Sequence, residues 1–294
     1  MKTLLSLGHG YSARCLSNLL SSEGGWRVIG TTRSESEVGA VKASGAEARI
    51  WPEERLNADI GDSTHILVSI APTADGDPVL QEFSDAIASA ERLKWVGYLS
   101  TTSVYGDRDG GWVDEDSELR PTTARGKFRL GAERAWQELA DQAGLPLHLF
   151  RLAGIYGPGR GPLHQLLNGR RTQIVRSGQL FNRIHVRDIA RVLQASMLRP
   201  DPGTVYNVCD DFPARSHEVM EFAAKLTGMQ PPKKVAFVEA DMSEMARSFH
   251  SESKRVRNGR IKSRLGIELQ YPDYKSGLRA LKGELEGKEG RHNR

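Results

Sequence analysis

The chain has 294 residues, of which 38% are hydrophobic and 27% are charged, a balance typical of a globular protein with ample core. Its apolar runs are too short to cross a bilayer, and its two cysteines are too few for a disulfide scaffold. We therefore expect a cytoplasmic protein without a membrane segment or a signal peptide.

The formal net charge of +4 is only weakly basic. Its basic residues are mixed with acidic ones and have few aromatic residues among them, whereas a nucleic-acid surface interleaves basic residues with stacking rings. The composition therefore argues against nucleic acid as a partner. It is typical of a solvated surface, and an anionic small-molecule substrate suits the charge equally well.

The first structural signal is a short apolar run that leads directly into a glycine-rich turn. Residues 4–7 predict a buried parallel strand, and residues 11–20 predict a helix. Gly8 permits the tight turn, Gly10 lets a pyrophosphate approach the backbone, and Ala13 is small enough for the helix to pack on the strand. An ordinary strand–helix turn is the alternative. The predicted cofactor contacts here are Gly8, Gly10, Tyr11, Ser12 and Ala13.

Strand and helix patterns alternate along most of the remaining chain. Further strands are predicted at 27–32, 47–51, 65–70, 94–100, 147–153 and 204–208, and further helices at 79–91, 127–142, 186–198 and 216–226. This alternation predicts an α/β doubly wound parallel sheet, for which we expect the strand order 3-2-1-4-5-6-7. Ligands of such sheets bind beyond the carboxyl ends of the strands. The residues expected to line a cofactor there are Ser69, Ala71, Ser100 and Leu152.

The end of the second strand bears on the identity of the cofactor. Enzymes that use NAD place an acidic residue here for the ribose 2′-hydroxyl, whereas an arginine accommodates the 2′-phosphate of NADP. Thr32, Arg33 and Ser34 stand at this position, and Glu35 and Glu37 follow slightly later. We therefore favour NADP over NAD. The alternative is that Arg33 is a solvent-exposed residue that opens a loop.

Several segments together resemble the extended short-chain dehydrogenase/reductases, the NAD-dependent epimerase/dehydratase family with its nucleoside-diphosphate-sugar epimerases. In chain order these segments are GHGYSA, STTSVYG, Asp114-Glu115, Pro121 before a helix containing RLGAE, FRLAGIYGPGR, NRIHVRDIA and VYNVCDD. Each segment alone is a weak signal, but their order and spacing together are specific. The resemblance extends over nearly the whole length of the chain.

The resemblance implies a Rossmann domain for the dinucleotide and a smaller C-terminal part for the substrate. The Rossmann domain would comprise residues 1–156 and 186–208, and the substrate-binding part residues 157–185 and 209–282. We expect residues 283–294 to form a disordered basic tail.

The resemblance also implies roles for residues that follow the fifth strand. Thr101 corresponds to the family's active-site Ser or Thr, which hydrogen-bonds the reacting oxygen. Thr102 and Tyr105 are expected to contact the substrate, although the family uses the equivalent of Tyr105 mainly for packing. A polar strand end without any role is the alternative.

The catalytic helix departs from the family's pattern. Counting back from Glu133 puts Arg129 at the position of the family's Lys and Arg125 at that of its Tyr, so that Tyr-x-x-x-Lys becomes Arg-Gly-Lys-Phe-Arg. The family's Tyr exchanges a proton with the substrate oxygen, whereas an arginine side chain stays protonated. Neither arginine can replace the tyrosine as a proton shuttle.

The two arginines are nevertheless spaced to lie on one face of the helix. A fixed pair of guanidinium groups suits bidentate binding of a carboxylate or phosphate, and Arg129 could also bind the cofactor ribose. We predict that Arg125 and Arg129 point into the cleft within reach of Thr101. The alternative is a surface ladder in which Arg129 pairs with Glu133.

The segment GPGRGP after Tyr156 predicts a turn into the substrate-binding part. The arginines expected to receive an anionic substrate there are Arg160, Arg171 and Arg183, and ordinary surface charge is the alternative. We expect structural roles for His9, His185 and Asp188. The two cysteines and eight histidines do not have the spacing of metal ligands, so no metal site is predicted.

Two classes of function remain open at this point. The first is an atypical NADP-dependent enzyme that acts on an anionic, nucleotide-linked small molecule, with Thr101, Arg125 and Arg129 at its active site. The second is a non-catalytic dinucleotide-binding sensor or scaffold. The missing tyrosine favours the second class, whereas the retained Ser/Thr strand end favours the first. A homodimer is compatible with either.

Overall fold

The computed structural model describes residues 1–242, 247 and 250–292. Its strands are β1 (Lys2–Leu7), β2 (Trp26–Thr32), β3 (Glu47–Ile50), β4 (His65–Val68), β5 (Trp95–Thr101), β6 (Trp112–Val113), β7 (Leu147–Leu152), β8 (Gly154–Tyr156), β9 (Thr172–Val175), β10 (Arg183–His185), β11 (Val205–Val208), β12 (Lys233–Ala236) and β13 (Arg255–Val256). Its α-helices are α1 (Tyr11–Glu23), α2 (Val38–Ala43), α3 (Arg55–Asp62), α4 (Pro78–Ala88), α5 (Ala124–Ala143), α6 (Pro162–Leu167), α7 (Val186–Leu198), α8 (Ser216–Thr227), α9 (Gly259–Leu265) and α10 (Tyr274–His292).

Seven strands form a central sheet in the order β3-β2-β1-β4-β5-β7-β11. Every pairing in this sheet is parallel. Because β7 and β11 are its sixth and seventh strands in chain order, the predicted order 3-2-1-4-5-6-7 is confirmed. The fold is a Rossmann-like doubly wound α/β sheet.

Helices cover both faces of the sheet because successive residues of a buried strand point in opposite directions. Leu4 packs in one core cluster, with Leu16 of α1 and Ile189 of α7. Its neighbour Leu5 packs in the other, with residues of α3, α4 and α5 that include Trp136. These two layers explain why the central strands carry apolar residues on both faces.

The direction of the chain across the sheet reverses beside β1, which lies between β2 and β4. This switch point opens a crevice at the carboxyl ends of the strands, where doubly wound folds bind their ligands. The glycine-rich turn follows β1 into this crevice, as the sequence predicts.

A smaller core lies apart from the central sheet. It joins α6, α8 and α10 through side chains such as Leu163, Val219 and Leu278. Small parallel pairs, β8 with β10 and β9 with β12, accompany it. This second part is where the sequence analysis expects substrate to bind.

The C-terminal segment differs from the expectation of disorder from residue 283 onward, because α10 continues to His292. Arg187 forms an ion pair with Glu284 (2.6 Å), and Lys282 pairs with Glu286 one helical turn later (3.3 Å). The first pair ties α10 to α7, and the second is of the i, i+4 type that supports a helix. Residues 293–294 lie outside the described residues. Across the described ranges, no helix has the length and hydrophobicity needed to span a membrane.

Candidate functional site

The turn between β1 and α1 is fixed to the ends of two neighbouring strands. Gly8 has a φ of +87°, and a Cβ at this position would lie 2.8 Å from Ile70 Cγ1, so only glycine fits. The Gly8 N–H donates to Thr31 Oγ1 (2.8 Å), and its carbonyl accepts a hydrogen bond from the Ser69 hydroxyl. The turn is therefore held in place from both sides.

The N-terminus of α1 is open toward the crevice. Gly10 precedes the helix without a side-chain cap, and no acidic residue lies in the first turn, which begins Tyr11, Ser12 and Ala13. The N–H groups of this turn therefore have no side-chain acceptor and favour an anion. A Cβ on Gly10 would have only the Gly8 carbonyl within 4.0 Å. These residues fit the diphosphate of a dinucleotide.

His9 has a structural place beneath this turn, as expected. It is 3% exposed, and its Nε2 lies 2.9 Å from Ser44 Oγ. Burial, with a smaller effect of Arg14, lowers the pKa of His9 to about 4. A Cβ on Gly30 would lie 2.4 Å from His9 Cγ, so the glycine in β2 makes room for the ring.

Arg33, which follows the end of β2, has no ion-pair partner among the described residues. Glu37 is bound by Arg14, whose Nε also donates to the His9 carbonyl (3.1 Å). Arg33 is exposed and forms no ion pair with any described residue. Beside it, the Ser34 N–H donates to Thr32 Oγ1 (3.3 Å). Of the two acidic residues that follow β2, Glu37 is thus paired with an arginine, while the Arg33 guanidinium remains available.

The four residues expected to line a cofactor beyond the strands differ in orientation. Ser69 and Ala71 follow β4 at the rim of the crevice, and Leu152 ends β7 opposite Thr101. The side chain of Ser100 is instead buried, and its hydroxyl donates to Glu133 Oε1. The expectation that the Ser100 side chain contacts the cofactor is corrected accordingly.

Thr101 ends β5 and caps a short 3-10 helix, Thr102–Tyr105. Its Oγ1 accepts the Ser103 N–H and donates to Ser103 Oγ, both at 3.3 Å. A Cβ on Gly126 would lie 2.9 Å from the Ser103 carbonyl oxygen, so glycine in the first turn of α5 permits close packing. Thr101 therefore lies at the edge of the crevice, beside the helix that carries the two arginines.

The two arginines of α5 occupy different environments. Arg129 Nη1 donates to the Leu99 carbonyl (2.9 Å), to Tyr98 Oη (2.9 Å) and to the Ile70 carbonyl (3.4 Å). It therefore bridges the carboxyl ends of β4 and β5. Arg125 is exposed, and no described residue binds its side chain. Both lie on one side of α5, but only Arg129 is fixed by the protein.

Glu133 lies in a buried polar network rather than in a surface ladder. Its carboxylate accepts a hydrogen bond from Arg151 Nη2 (2.8 Å), and the two side chains are 1% and 5% exposed. Arg151 Nη1 also donates to Tyr105 Oη (3.0 Å). The alternative in which Arg129 pairs with Glu133 is therefore wrong.

Tyr105 belongs to the same network. It is fully buried, and its hydroxyl donates to Asn207 Oδ1 (2.7 Å). Burial raises the pKa of Tyr105 to about 12, although Arg151 opposes this shift. The expectation that Tyr105 contacts the substrate is therefore corrected, because its side chain is buried and its hydroxyl is bound to Asn207. Sequence reasoning missed Arg151, and the signal was a charged residue inside the apolar strand β7.

The arginines of the second part do not form one cluster. Arg183 Nη1 donates to the carbonyls of Phe181 and Ala214, both at 3.1 Å, and burial lowers its pKa. Arg171 is exposed at the start of β9. Arg160 instead contacts α1, and its guanidinium lies 5.4 Å from the centre of the Tyr11 ring.

Sequence comparison supplies the family. Residues 84–209 match the model of the NAD dependent epimerase/dehydratase family. The chain is 30% identical to Protein YeeZ of Escherichia coli K12 over 288 residues, which cover 93% of this chain and 97% of that protein. The chain belongs to the NAD-dependent epimerase/dehydratase family. The resemblance seen in the sequence is thereby confirmed.

Solved structures share this fold. A functionally unknown conserved protein from Silicibacter pomeroyi is 55% identical, with a TM-score of 0.91 over 97% of this chain and 99% of that chain. UDP-glucuronic acid 4-epimerase from Bacillus cereus, in complex with NAD, has a TM-score of 0.76 and 18% identity over 98% and 99% of the two chains. At that identity the likeness shows the fold alone.

Proposed function

We propose that this protein is an NADP-dependent enzyme of the epimerase/dehydratase type that acts on an anionic, nucleotide-linked small molecule. The observation that carries the proposal is the grouping of functional residues along one edge of the sheet. The open N-terminus of α1, the uncommitted Arg33, Thr101 and Arg129 all lie at this edge. The related UDP-glucuronic acid 4-epimerase was solved in complex with NAD, which supports a dinucleotide in the same crevice.

Each part of the crevice has a chemical role in this proposal. The N–H groups of the first turn of α1 bind the diphosphate, and Arg33 with Thr32 binds the 2′-phosphate. Arg129 uses Nη1 to hold the ends of β4 and β5, which leaves its other N–H groups for the ribose. The nicotinamide, when bound, supplies the donor or acceptor of a hydride.

Proton transfer must proceed differently from the family's tyrosine mechanism. The Thr101 hydroxyl binds the reacting oxygen, and the exposed Arg125 approaches it as a positive charge that stabilises negative charge on that oxygen. Because a guanidinium group does not release a proton, the proton passes to or from water. We therefore propose an enzyme in which arginine charge replaces tyrosine acid–base chemistry.

The cofactor proposal predicts that NADP binds more tightly than NAD and that Arg33→Ala removes the difference. A charge-assisted contact of this type contributes about 1.5–3 kcal/mol, and 1.4 kcal/mol corresponds to about tenfold in affinity. Isothermal titration calorimetry of both proteins with both dinucleotides measures the preference. Equal affinity of the unmodified protein for NADP and NAD would contradict the assignment to Arg33.

A non-catalytic NADP sensor is the second candidate, and the solvent-exposed position of Arg125 favours it. The two candidates differ in turnover. A panel of nucleotide-linked sugars and anionic carbonyl compounds, followed by reduced-nicotinamide absorbance, should show hydride transfer that Thr101→Ala weakens. Tight NADP binding without turnover of any member of the panel would favour the sensor.

We also propose a reducing, cytoplasmic location. Cys15 and Cys209 are both free thiols, and Cys209 is buried. Burial raises the pKa of both thiols, which keeps them protonated and unreactive. Free thiols of this kind are typical of reducing compartments.

A further inference from the structure

A tight turn from the second part reaches across to the start of α1. Residues 157–160 form this turn, in which the Gly157 N–H donates to the Arg160 carbonyl (3.1 Å) and the Arg160 N–H to the Gly157 carbonyl (3.0 Å). Tyr11 Oη donates to the Pro158 carbonyl (3.0 Å). The turn is thus anchored to the first residue of the helix whose N-terminus is open.

The close approach depends on glycine. A Cβ on Gly157 would lie 2.5 Å from Tyr11 Oη and 2.7 Å from Val186 Cγ1. A side chain at this position would force Tyr11, Val186 or the turn itself to shift. The contact therefore has a defined geometry, with the turn pressed against the tyrosine.

Arg160 is carried by this turn and is not neutralised. Its guanidinium lies 5.4 Å from the centre of the Tyr11 ring, and its side chain is exposed. No described residue forms an ion pair with it. The other arginine near Tyr11, Arg187, is bound by Tyr271 Oη (3.0 Å) and by Glu284 (2.6 Å). Of these two arginines, Arg160 is the one whose charge is available for a ligand.

The stacking contact alone is a weak reason to hold an arginine here. An exposed cation–π contact contributes about 0.5–1 kcal/mol. Tyr11 is the first residue of α1, so this contact holds the guanidinium near the end of the helix whose N–H groups have no side-chain cap. An unneutralised guanidinium beside unpaired N–H groups forms a site for a doubly charged anion.

We propose that Arg160 is a ligand of the cofactor diphosphate, supplied by the second part across the crevice. The inference rests on the proposed function, because it takes the dinucleotide as the ligand of the glycine-rich turn. It reassigns Arg160 from the substrate, where the sequence analysis places it, to the cofactor. Dinucleotide binding would then hold the turn of residues 157–160 against α1 through Arg160 and Tyr11 together.

Calorimetric titrations with NADP and NAD test this inference. Arg160→Gln should weaken both dinucleotides by the same factor, about tenfold, because both carry the diphosphate. The loss should shrink as salt is added, since the guanidinium is exposed. Tyr11→Phe keeps the ring and loses only the bond to Pro158, so its effect should be smaller.

Arg92→Gln is the matched control. Arg92 is an exposed arginine that pairs with Asp62 (3.5 Å) outside the crevice. The substitution should leave both affinities unchanged. Unchanged affinities in Arg160→Gln would overturn the inference while leaving the proposed function intact. A loss confined to NADP would also overturn it, because the contact would then be to the 2′-phosphate. Failure of the unmodified protein to bind either dinucleotide would remove the proposed function itself.

Discussion

Lowering the pH from 6.5 to about 4 should strongly destabilise the folded protein, because four buried histidines are held neutral over this window. They are His9, His65, His148 and His185. Burial is the largest cause of the lowered pKa in each case. Each should make the free energy of unfolding fall by up to about 1.4 kcal/mol per pH unit.

The direction in which the free energy of unfolding changes with pH follows from proton binding. In the unfolded chain these histidines have a pKa of 6.5, and in the folded protein about 4, so the unfolded chain binds more protons between the two values. Stability is therefore complete above pH 6.5 and is lost as the pH falls through the window. Protonation also removes specific contacts. His148 Nε2 accepts the Asp201 N–H (2.9 Å), and His185 Nδ1 accepts the Arg187 N–H at the start of α7 (3.2 Å).

Urea unfolding at several pH values measures this dependence. Buried carboxyl groups such as Asp188 and Asp210 have raised pKa values and act in the opposite direction, so variants must isolate the histidines. His148→Gln should reduce the slope of the free energy of unfolding against pH by the contribution of one histidine. His164→Gln, at an exposed position, is the control. A free energy of unfolding that stays constant across the window, with no change of slope in His148→Gln, would refute this account.

Replacing Glu133 by alanine should lower the free energy of unfolding by about 3–5 kcal/mol, the usual cost of breaking a buried ion pair from one side. The change removes the acceptor of the Ser100 hydroxyl and of Arg151 Nε and Nη2. Arg151 would keep only Tyr105 and the Glu115 carbonyl, so a nearly uncompensated charge would remain buried.

Chemical denaturation of Glu133→Leu, Arg151→Met, their double variant and Arg27→Ala separates charge from packing. In Glu133→Leu with Arg151→Met both charges are lost, so the double variant should be more stable than the two single losses predict by addition. Arg27→Ala breaks the exposed pair with Glu47 (2.7 Å) and should cost less than about 1 kcal/mol. If Glu133→Ala cost no more than Arg27→Ala, the network would not be a stabilising element.

The central sheet and the glycine-rich turn could be predicted from the sequence because their causes are local. A run such as residues 65–68 identifies a buried strand by itself, and Gly8 reports a backbone that other residues cannot adopt. Strand order follows from the alternation of strands and helices together with the family resemblance. These features depend little on which distant residues meet.

The site could be predicted only in part because its contacts join distant residues. Ser100 and Tyr105 were expected at the crevice, yet their hydroxyls turn inward to Glu133 and Asn207, far along the chain. Pro158 meets Tyr11 across 147 residues of sequence, and Arg160 of the same turn lies over the Tyr11 ring. Nothing in the local pattern of either segment reveals that partner.

The positions of Arg125 and Arg129 on α5 could likewise be predicted only in part. The spacing of Arg125 and Arg129 predicts a shared face, but not where α5 begins. Thr123 caps the helix by accepting the Gly126 N–H (3.1 Å), so that α5 starts at Ala124. Arg125 is therefore in the first turn and exposed, whereas Arg129 lies one turn deeper against β4 and β5.

A crystal structure of the protein with NADP bound would test the central claim most directly. We expect the diphosphate on the N–H groups of the first turn of α1, the 2′-phosphate against Arg33, and the nicotinamide between Thr101 and Arg129. The claim would be contradicted by a dinucleotide whose nicotinamide lies away from Thr101 and Arg129, or by crystals that hold no dinucleotide in the crevice at saturating NADP.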